Sequence, residues 1–293
     1  MSEILLSIII PTHNRPKLLP RAVKSALSQT VESFEVIVVD DCSTQQIDLP
    51  EHSRLKIIQL KKNSGVSAAR NIGAKAARGR WITFLDDDDE LLPNMAQISL
   101  EALKNSLTLP VPIAVVSGIE VINREGKIIQ TRIPPTLPRG SHFGLEEIKP
   151  SQSFLSKQTL VVEKEVFLSI GGFDESFASR ETTELFLRLN TVCSILGISQ
   201  LTYRLIKHEG FHLSKDARRQ ISLIRLVVKH RDTFQTHPIK FADLVYNEVG
   251  MSLKSGQTKT ALDNFIWAMK VAPIHTVVRV LFSAKNLVKN IVT

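Results

Sequence analysis

The sequence predicts an α/β fold in which short strands alternate with helices to build a sheet covered on both faces. Three observations carry this: four short apolar runs in the first ninety residues, helical spacing between them, and polar clusters directly after three of the four. The runs at 5–10 (LLSIII), 34–39 (FEVIVV), 55–60 (LKIIQL) and 81–85 (WITFL) are too short for helices and rich in β-branched residues, so they read as strands. Between the first two, Leu18, Ala22, Ala26 and Leu27 recur at helical spacing within 17–30. Between the third and fourth, 66–78 is Ala-rich and favours a helix. Such repetition implies parallel strands buried on both faces, and ligands of such sheets collect at the carboxyl ends of the strands. The polar clusters fall there: Pro11, Thr12, His13 and Asn14 after the first strand, Asp40 to Ser43 after the second, Asp86 to Asp89 after the fourth.

The rest of the chain divides by pattern. Residues 1–109 form the first half of an α/β domain and 110–214 the second, with strands at 112–117, 127–132 and 158–163, a Pro/Gly-rich loop at 134–144 and a helix over 181–196. From 215 to 293 the pattern is helical only. At 293 residues and 43% apolar, the chain can bury one large core with a smaller appendage. Its two cysteines, Cys42 and Cys193, lack the spacing of a metal or redox motif and fit a reducing, cytoplasmic setting. No run reaches the roughly 18 apolar residues that span a bilayer, and no export signal is read.

Charge is uneven. Residues 215–293 hold 13 Lys/Arg against 5 Asp/Glu, which accounts for the whole net charge of +8. A neutral body with a basic end implies an acidic partner for that end. Wound as a helix, 277–293 gathers Val277, Val280, Leu281, Ala284, Leu287, Val288 and Ile291 on one face, opposite Arg279, Lys285 and Lys289. This pattern suits either an anionic membrane surface or packing on neighbouring helices. Nucleic acid is disfavoured as a partner, because no aromatics cluster among these basic residues.

The run Asp86-Asp87-Asp88-Asp89 carries the most chemistry. Four adjacent carboxylates repel one another, and a cation must offset that cost. Mg²⁺ or Mn²⁺ is the natural candidate, since both take oxygen ligands and often use one or two carboxylates together with substrate phosphates.

Four blocks in order, residues 7–30, 34–43, 63–89 and 170–176, resemble the inverting family 2 glycosyltransferases, with the resemblance covering roughly residues 5–210. It implies a GT-A fold: a Rossmann-like mixed sheet with helices on both faces, here followed by a helical extension. It also implies transfer of a sugar from a nucleotide diphosphate sugar, UDP-linked, to a hydroxyl of a glycan or lipid-linked acceptor, as in polysaccharide biosynthesis; the basic tail, and not the resemblance, suggests a place at the inner face of the cell membrane. Residue by residue, Pro11, Thr12 and His13 would line the base and ribose pocket, and Asp41 would accept the imino N–H of a uracil-type base. Arg70 would meet the diphosphate, Asp86 the ribose or metal, and Asp88 would be the main metal ligand. Asp174, in the Gly171–Gly172–Phe173–Asp174 turn, would lie near the acceptor. Arg204 and His208 fall where the family carries a basic or imidazole group for the diphosphate.

One position departs from the family. The Asp that usually deprotonates the acceptor is replaced by Thr182, although the preceding Glu181 and the following Arg188 are in place. A threonine hydroxyl is no general base near neutral pH. Glu181 serves instead, or Glu184 one turn on, or the protein binds its donor without transferring sugar.

Overall fold

Every residue of β1 (Leu6–Thr12) is buried, and alternate residues enter two different cores. Ile9 packs with Ile37 and Val39 of β2 (Phe34–Asp40) and with Ala69 and Ala74 of α2 (Val66–Ala76). Leu6, Ile8 and Ile10 pack on the other face with Val36, Val38 and the buried stripe Leu19, Ala22, Val23, Ala26 of α1 (Leu19–Leu27). A period of two with both sets apolar is what a sheet covered on each side requires. The computed structural model describes residues 4–106, 108–207 and 214–292, the side chains of 214–217 and 284–292 excepted. Contacts divide the chain into two units, one up to residue 209 and one from 210.

The remaining strands of the first unit are β3 (Leu55–Gln59), β4 (Trp81–Phe84), β5 (Glu90–Leu91), β6 (Ile113–Ile122), β7 (Ile128–Arg132), β8 (Val161–Glu163) and β9 (Ser194–Ile206). They form one sheet in the order β3-β2-β1-β4-β8-β6-β9-β5, with β7 paired on β6. The first four strands run parallel as expected. Beyond β4 the sheet is mixed, with β8 antiparallel to β4, β6 antiparallel to β8, and β9 parallel to β6. Segments 1–109 and 110–214 therefore share one sheet. The helices α3 (Met95–Asn105), α4 (Lys164–Ser169) and α5 (Glu181–Val192) complete the unit.

The helix expected over 181–196 stops at Val192, and the chain enters β9 at Ser194. β9 is long, half-exposed and irregular in polarity, so its sequence has no clean period of two. Its partner β6 satisfies its backbone, and Gly197 admits the Pro135 carbonyl to a place where any Cβ would collide. Both cysteines are free thiols, and burial pushes Cys193 up to about 12.

The second unit consists of α6 (Ser214–Lys229), α7 (Arg231–Thr236), α8 (Pro238–Lys254), α9 (Thr258–Val271) and α10 (Pro273–Val292). Leu223, Leu226, Phe234, Phe241, Val245, Ala261 and Ala268 are buried in it. α10 carries the apolar face read in 277–293: Val277, Val280 and Leu281 are exposed at 46, 36 and 65%, and the side chains of Ala284, Leu287, Val288 and Ile291 lie outside the described residues. Its inward groups are polar: Thr276 donates to the carbonyls of Ala268 and Ala272, while His275 and Arg279 both meet Asp243, at 2.9 and 3.1 Å. Ile274, Val278, Leu281 and Phe282 are left exposed at 82, 56, 65 and 60%. No helix among the described residues is long and apolar enough to cross a membrane.

At the amino end of the first strands, Ser7 donates to Glu35 at 2.7 Å and accepts the Gly79 amide at 2.9 Å. Burial works against the charge of Glu35, but hydrogen bonds from the Arg78 amide, Ser7 and the Arg78 guanidinium outweigh it and hold the carboxyl below its usual range. A Cβ on Gly79 would sit 2.7 Å from the Ser7 nitrogen and 2.8 Å from the Leu6 carbonyl carbon, both backbone atoms. Gly79→Ala is expected to lower unfolding stability by about 1–3 kcal/mol, read from urea titration.

Candidate active site

The carboxyl ends of β2 and β4 meet at Thr12, the last residue of the strand between them. Its carbonyl accepts the Asp41 amide at 2.8 Å, and its hydroxyl donates to Asp87 at 2.7 Å. The acidic clusters after the second and fourth strands thus share one edge of the sheet. Asp41 is buried, and its two oxygens receive the amides of Ser64 and Gly65, at 2.7 and 2.8 Å, in the turn that opens α2. Pro11 is buried in β1, and His13 is exposed just beyond it, with its Nε2 3.1 Å from the side-chain Nδ2 of Asn14. Asn14 has a left-handed backbone (φ 55°), and its side-chain oxygen accepts from both the amide and the hydroxyl of Thr44. That geometry costs little for asparagine and stitches the loops after β1 and β2 into one rim.

Each carboxylate of the acidic run has a partner from the protein itself. Asp86 accepts from Arg70 at 2.6 Å, and Asp87 accepts from Thr12 and from Arg15, the latter at 2.9 Å. Asp88 accepts from Arg15 at 2.7 Å, while its carbonyl takes Arg21 at 2.7 Å. Asp89 turns inward and accepts from the Tyr203 hydroxyl at 2.8 Å and the Ile206 amide at 2.9 Å. Burial, and then the charge of Asp86, push Asp89 up to about 7. Resident arginines therefore supply much of the compensation that the sequence alone assigned to a metal. The donor set still suits an oxygen-seeking ion: Asp86 and Asp88 are the more accessible carboxylates of the run, with side chains 34 and 23% exposed. Among the described residues, no three carboxylates of the run converge on one point, so diphosphate oxygens would have to complete the coordination.

Arg70 joins this edge to the second half of the sheet. Its guanidinium is buried, binds Asp86, reaches Glu181 at 3.2 Å and lies over the ring of Phe173. Burial opposes its charge, but Asp86 and Glu181 outweigh it and raise its pKa. Phe173 is held in turn by Asn71, whose amide oxygen and nitrogen pair with the Phe173 amide and carbonyl at 2.9 Å each. Gly172 has φ 66°, and a Cβ there would strike the Asn71 oxygen, so the Gly-Gly turn is required by this close approach. Asp174 accepts from the amide and hydroxyl of Ser176, closing the turn. Arg70, Asp86, Glu181 and Thr182 line a common cavity of about 110 Å³, room for roughly three or four waters.

Glu184 is a different matter. It is fully buried, is absent from the cavity lining, and has its carboxylate gripped by Arg188 one turn on. Arg188 continues to the carbonyls of Ile170 and Gly172, so the pair braces the Gly-Gly turn. This corrects the expectation that Glu184 serves as a base: i+3 keeps it near the helix face of Glu181, but the packing of α5 encloses it and Arg188 takes its carboxylate. Arg204 pairs with Glu120 at 2.6 Å and Glu90 at 3.0 Å, acting as a clamp between strands. His208 lies outside the described residues.

Comparison with known proteins agrees with this architecture. The family described as Glycosyl transferase family 2 matches residues 7–155, more than half of the chain. The chain belongs to glycosyl transferase family 2. Among the relatives of this family 2 chain, an uncharacterized glycosyltransferase of Haemophilus influenzae is 29% identical over 187 residues, covering 63% of this chain and 62% of that protein. The chondroitin synthase of Escherichia coli is 29% identical over 211 residues, covering 70% of this chain and 29% of the synthase. The matched stretch thus spans under two thirds of either relative. In fold, the family 2 chain is similar to S. aureus TarS 1–349 in complex with UDP-GlcNAc, at TM-score 0.61 and 21% identity, over 93% of this chain and 82% of that one.

Sequence reasoning missed Arg15, Asn71 and Lys157 in this family 2 chain, and placed Asn14 in the cluster after the first strand without giving it a role. The signal for Arg15 and Asn14 was their place directly after the first strand; for Asn71 and Lys157 no local pattern points to a partner more than twenty residues away. Glu184→Gln is expected to lower stability by about 3 kcal/mol, because Arg188 loses a buried counter-charge, and Glu181→Gln by about 1–2 kcal/mol, because the buried Arg70 loses one of its two acids but keeps Asp86. Equilibrium denaturation of the two variants separates the roles.

Proposed function

We propose that this chain is an inverting glycosyltransferase that moves a sugar from a UDP-sugar to a hydroxyl of a glycan or lipid-linked acceptor. The observation that carries this reading is Arg70, one buried cation holding both Asp86 at the β4 edge and Glu181 at the mouth of the cavity. Asp41 spends two lone pairs on Ser64 and Gly65 and keeps others for the imino N–H of a uracil-type base. The UDP and UDP-GlcNAc complexes of TarS support such a donor, and the name of the chondroitin synthase supports a glycan product.

Asp88, with Asp86, would hold Mg²⁺ or Mn²⁺. When bound, such an ion offsets the charge that gathers on the departing diphosphate. Glu181 takes the acceptor proton, the acceptor oxygen bonds to the anomeric carbon, and the bond from that carbon to the diphosphate breaks on the opposite side, which inverts the centre. Arg70 limits the freedom of Glu181 and keeps its second oxygen available for the proton.

One observation favours a second reading, a nucleotide-sugar binder without turnover: the residue lining the cavity next to Glu181 is Thr182, which cannot act as a base. UDP release from UDP-GlcNAc and other UDP-sugars, with and without Mn²⁺, decides between them. Transfer or hydrolysis that falls at least about a hundredfold in Asp88→Ala, and by about 10²–10⁴ in Glu181→Gln with UDP affinity unchanged, supports the enzyme. Tight UDP binding with no release from any donor supports the binder.

The exposed apolar side of α10 on a basic unit supports docking to an anionic membrane surface. Sedimentation with vesicles containing phosphatidylglycerol should carry the protein down at low salt, and Leu281→Glu/Phe282→Glu should leave it in the supernatant.

A further inference from the structure

Lys157 lies in the kinked 3-10 segment Phe154–Thr159 and lines the same cavity as Arg70, Asp86 and Glu181. Among the described residues, its ammonium makes one hydrogen bond, to the neutral hydroxyl of Thr183 at 2.6 Å. A lysine carries three N–H donors, so two remain for something in the cavity. The other cation of the lining, Arg70, is already committed to Asp86 and Glu181. Among the described residues, no carboxylate lies within ion-pair distance of Lys157.

Its surroundings make this arrangement costly. Burial, and then the Arg180 guanidinium beside it, pull the Lys157 ammonium down to about 8, against the opposing pull of Glu181. Arg180 is the residue before α5, holds a left-handed backbone at φ 63°, and provides no side-chain cap for the helix. Two cations thus stand together beside a helix start, where the backbone amides also favour negative charge. The same lining includes two buried polar atoms with no hydrogen-bond partner, Arg70 Nε and Gln158 Oε1. Buried polar atoms are rarely left in that state in a finished site.

We propose that Lys157 receives an acidic group of the acceptor, a carboxylate or a phosphate ester, and so selects acidic acceptors over neutral ones. This rests on reading the cavity as the acceptor side of the transfer site. An anion there would use the two remaining N–H groups of Lys157 and relieve the repulsion with Arg180, while Glu181 and Asp86 across the cavity set how closely it approaches.

Calorimetric titration of the full chain tests this with three probes: methyl β-D-glucuronide, glycerol 3-phosphate and neutral methyl β-D-glucoside, each with and without UDP. The expected result is at least tenfold tighter binding of an acidic probe than of the glucoside. That preference should vanish in Lys157→Met and return to within threefold in Lys157→Arg. The glucuronide and phosphate arms show which acidic group is meant. Equal affinities in the wild type, or a preference that survives Lys157→Met, overturn the proposal. Should Lys157→Met fail to fold, Lys157→Gln, which can still donate to Thr183, takes its place under the same criteria. Binding needs no turnover, so UDP release without acid preference sinks only the role of Lys157. Acid preference without any UDP release sinks only the reading as a transferase.

Discussion

The first unit depends on one buried guanidinium. Arg70 emerges from α2, is sealed from solvent, and can be there only because Asp86 and Glu181 neutralise it from two directions. Those two acids come from parts of the chain 95 residues apart, one after a parallel strand and one at the start of a helix that follows the antiparallel crossing. The ion triad therefore fixes the spacing between the two halves of the sheet beside the cavity. Phe173 beneath it and Asn71 beside it exist in the same service: the amide of Asn71 locks the turn that presents the ring. Removing a residue in this group leaves a charge or an amide without a partner, so the geometry of the cavity and the stability of the unit are coupled.

A second constraint is electrostatic. Four aspartates in a row pose the same problem in any fold, and this chain solves it four ways: a buried arginine, a threonine plus an arginine, an exposed arginine, and burial of the last carboxyl beside a tyrosine. The differences matter. Only Asp86 and Asp88 keep appreciable access to solvent, so the run divides into two carboxylates that hold the loop and two that can meet a ligand.

Much of this was legible in the sequence. The four parallel strands followed from short β-branched runs, and the location of the site from the polar residues after them, because strand alternation and sheet topology are local and general. The placement of Thr12, Asp41, Asp86 and Asp88 on one edge needed nothing else. What stayed hidden depended on distance. β9 has no clean period of two because only part of each face is covered, and its identity is settled by β6 rather than by its own residues. Glu181 and Glu184 looked equivalent three residues apart, yet one faces the cavity and the other the core; only the packing of α5 distinguishes them. For the described part of α10 the apolar residues were visible, but which of them stay exposed depends on Thr276, His275 and Arg279 bonding to their neighbours.

Arg15 gives the acidic edge an occupant of its own. It touches Asp87 and Asp88 at once and is itself 44% exposed in its side chain, tethered by charge rather than by packing. Any divalent ion that settles on Asp88 must therefore compete with a tethered cation, and its apparent affinity reports an exchange instead of a simple addition. The displaced guanidinium remains within a side chain's length of the same edge, ready to serve whatever anion accompanies the ion. Occupation of Asp88 by an ion would then be thermodynamically linked to the position of Arg15.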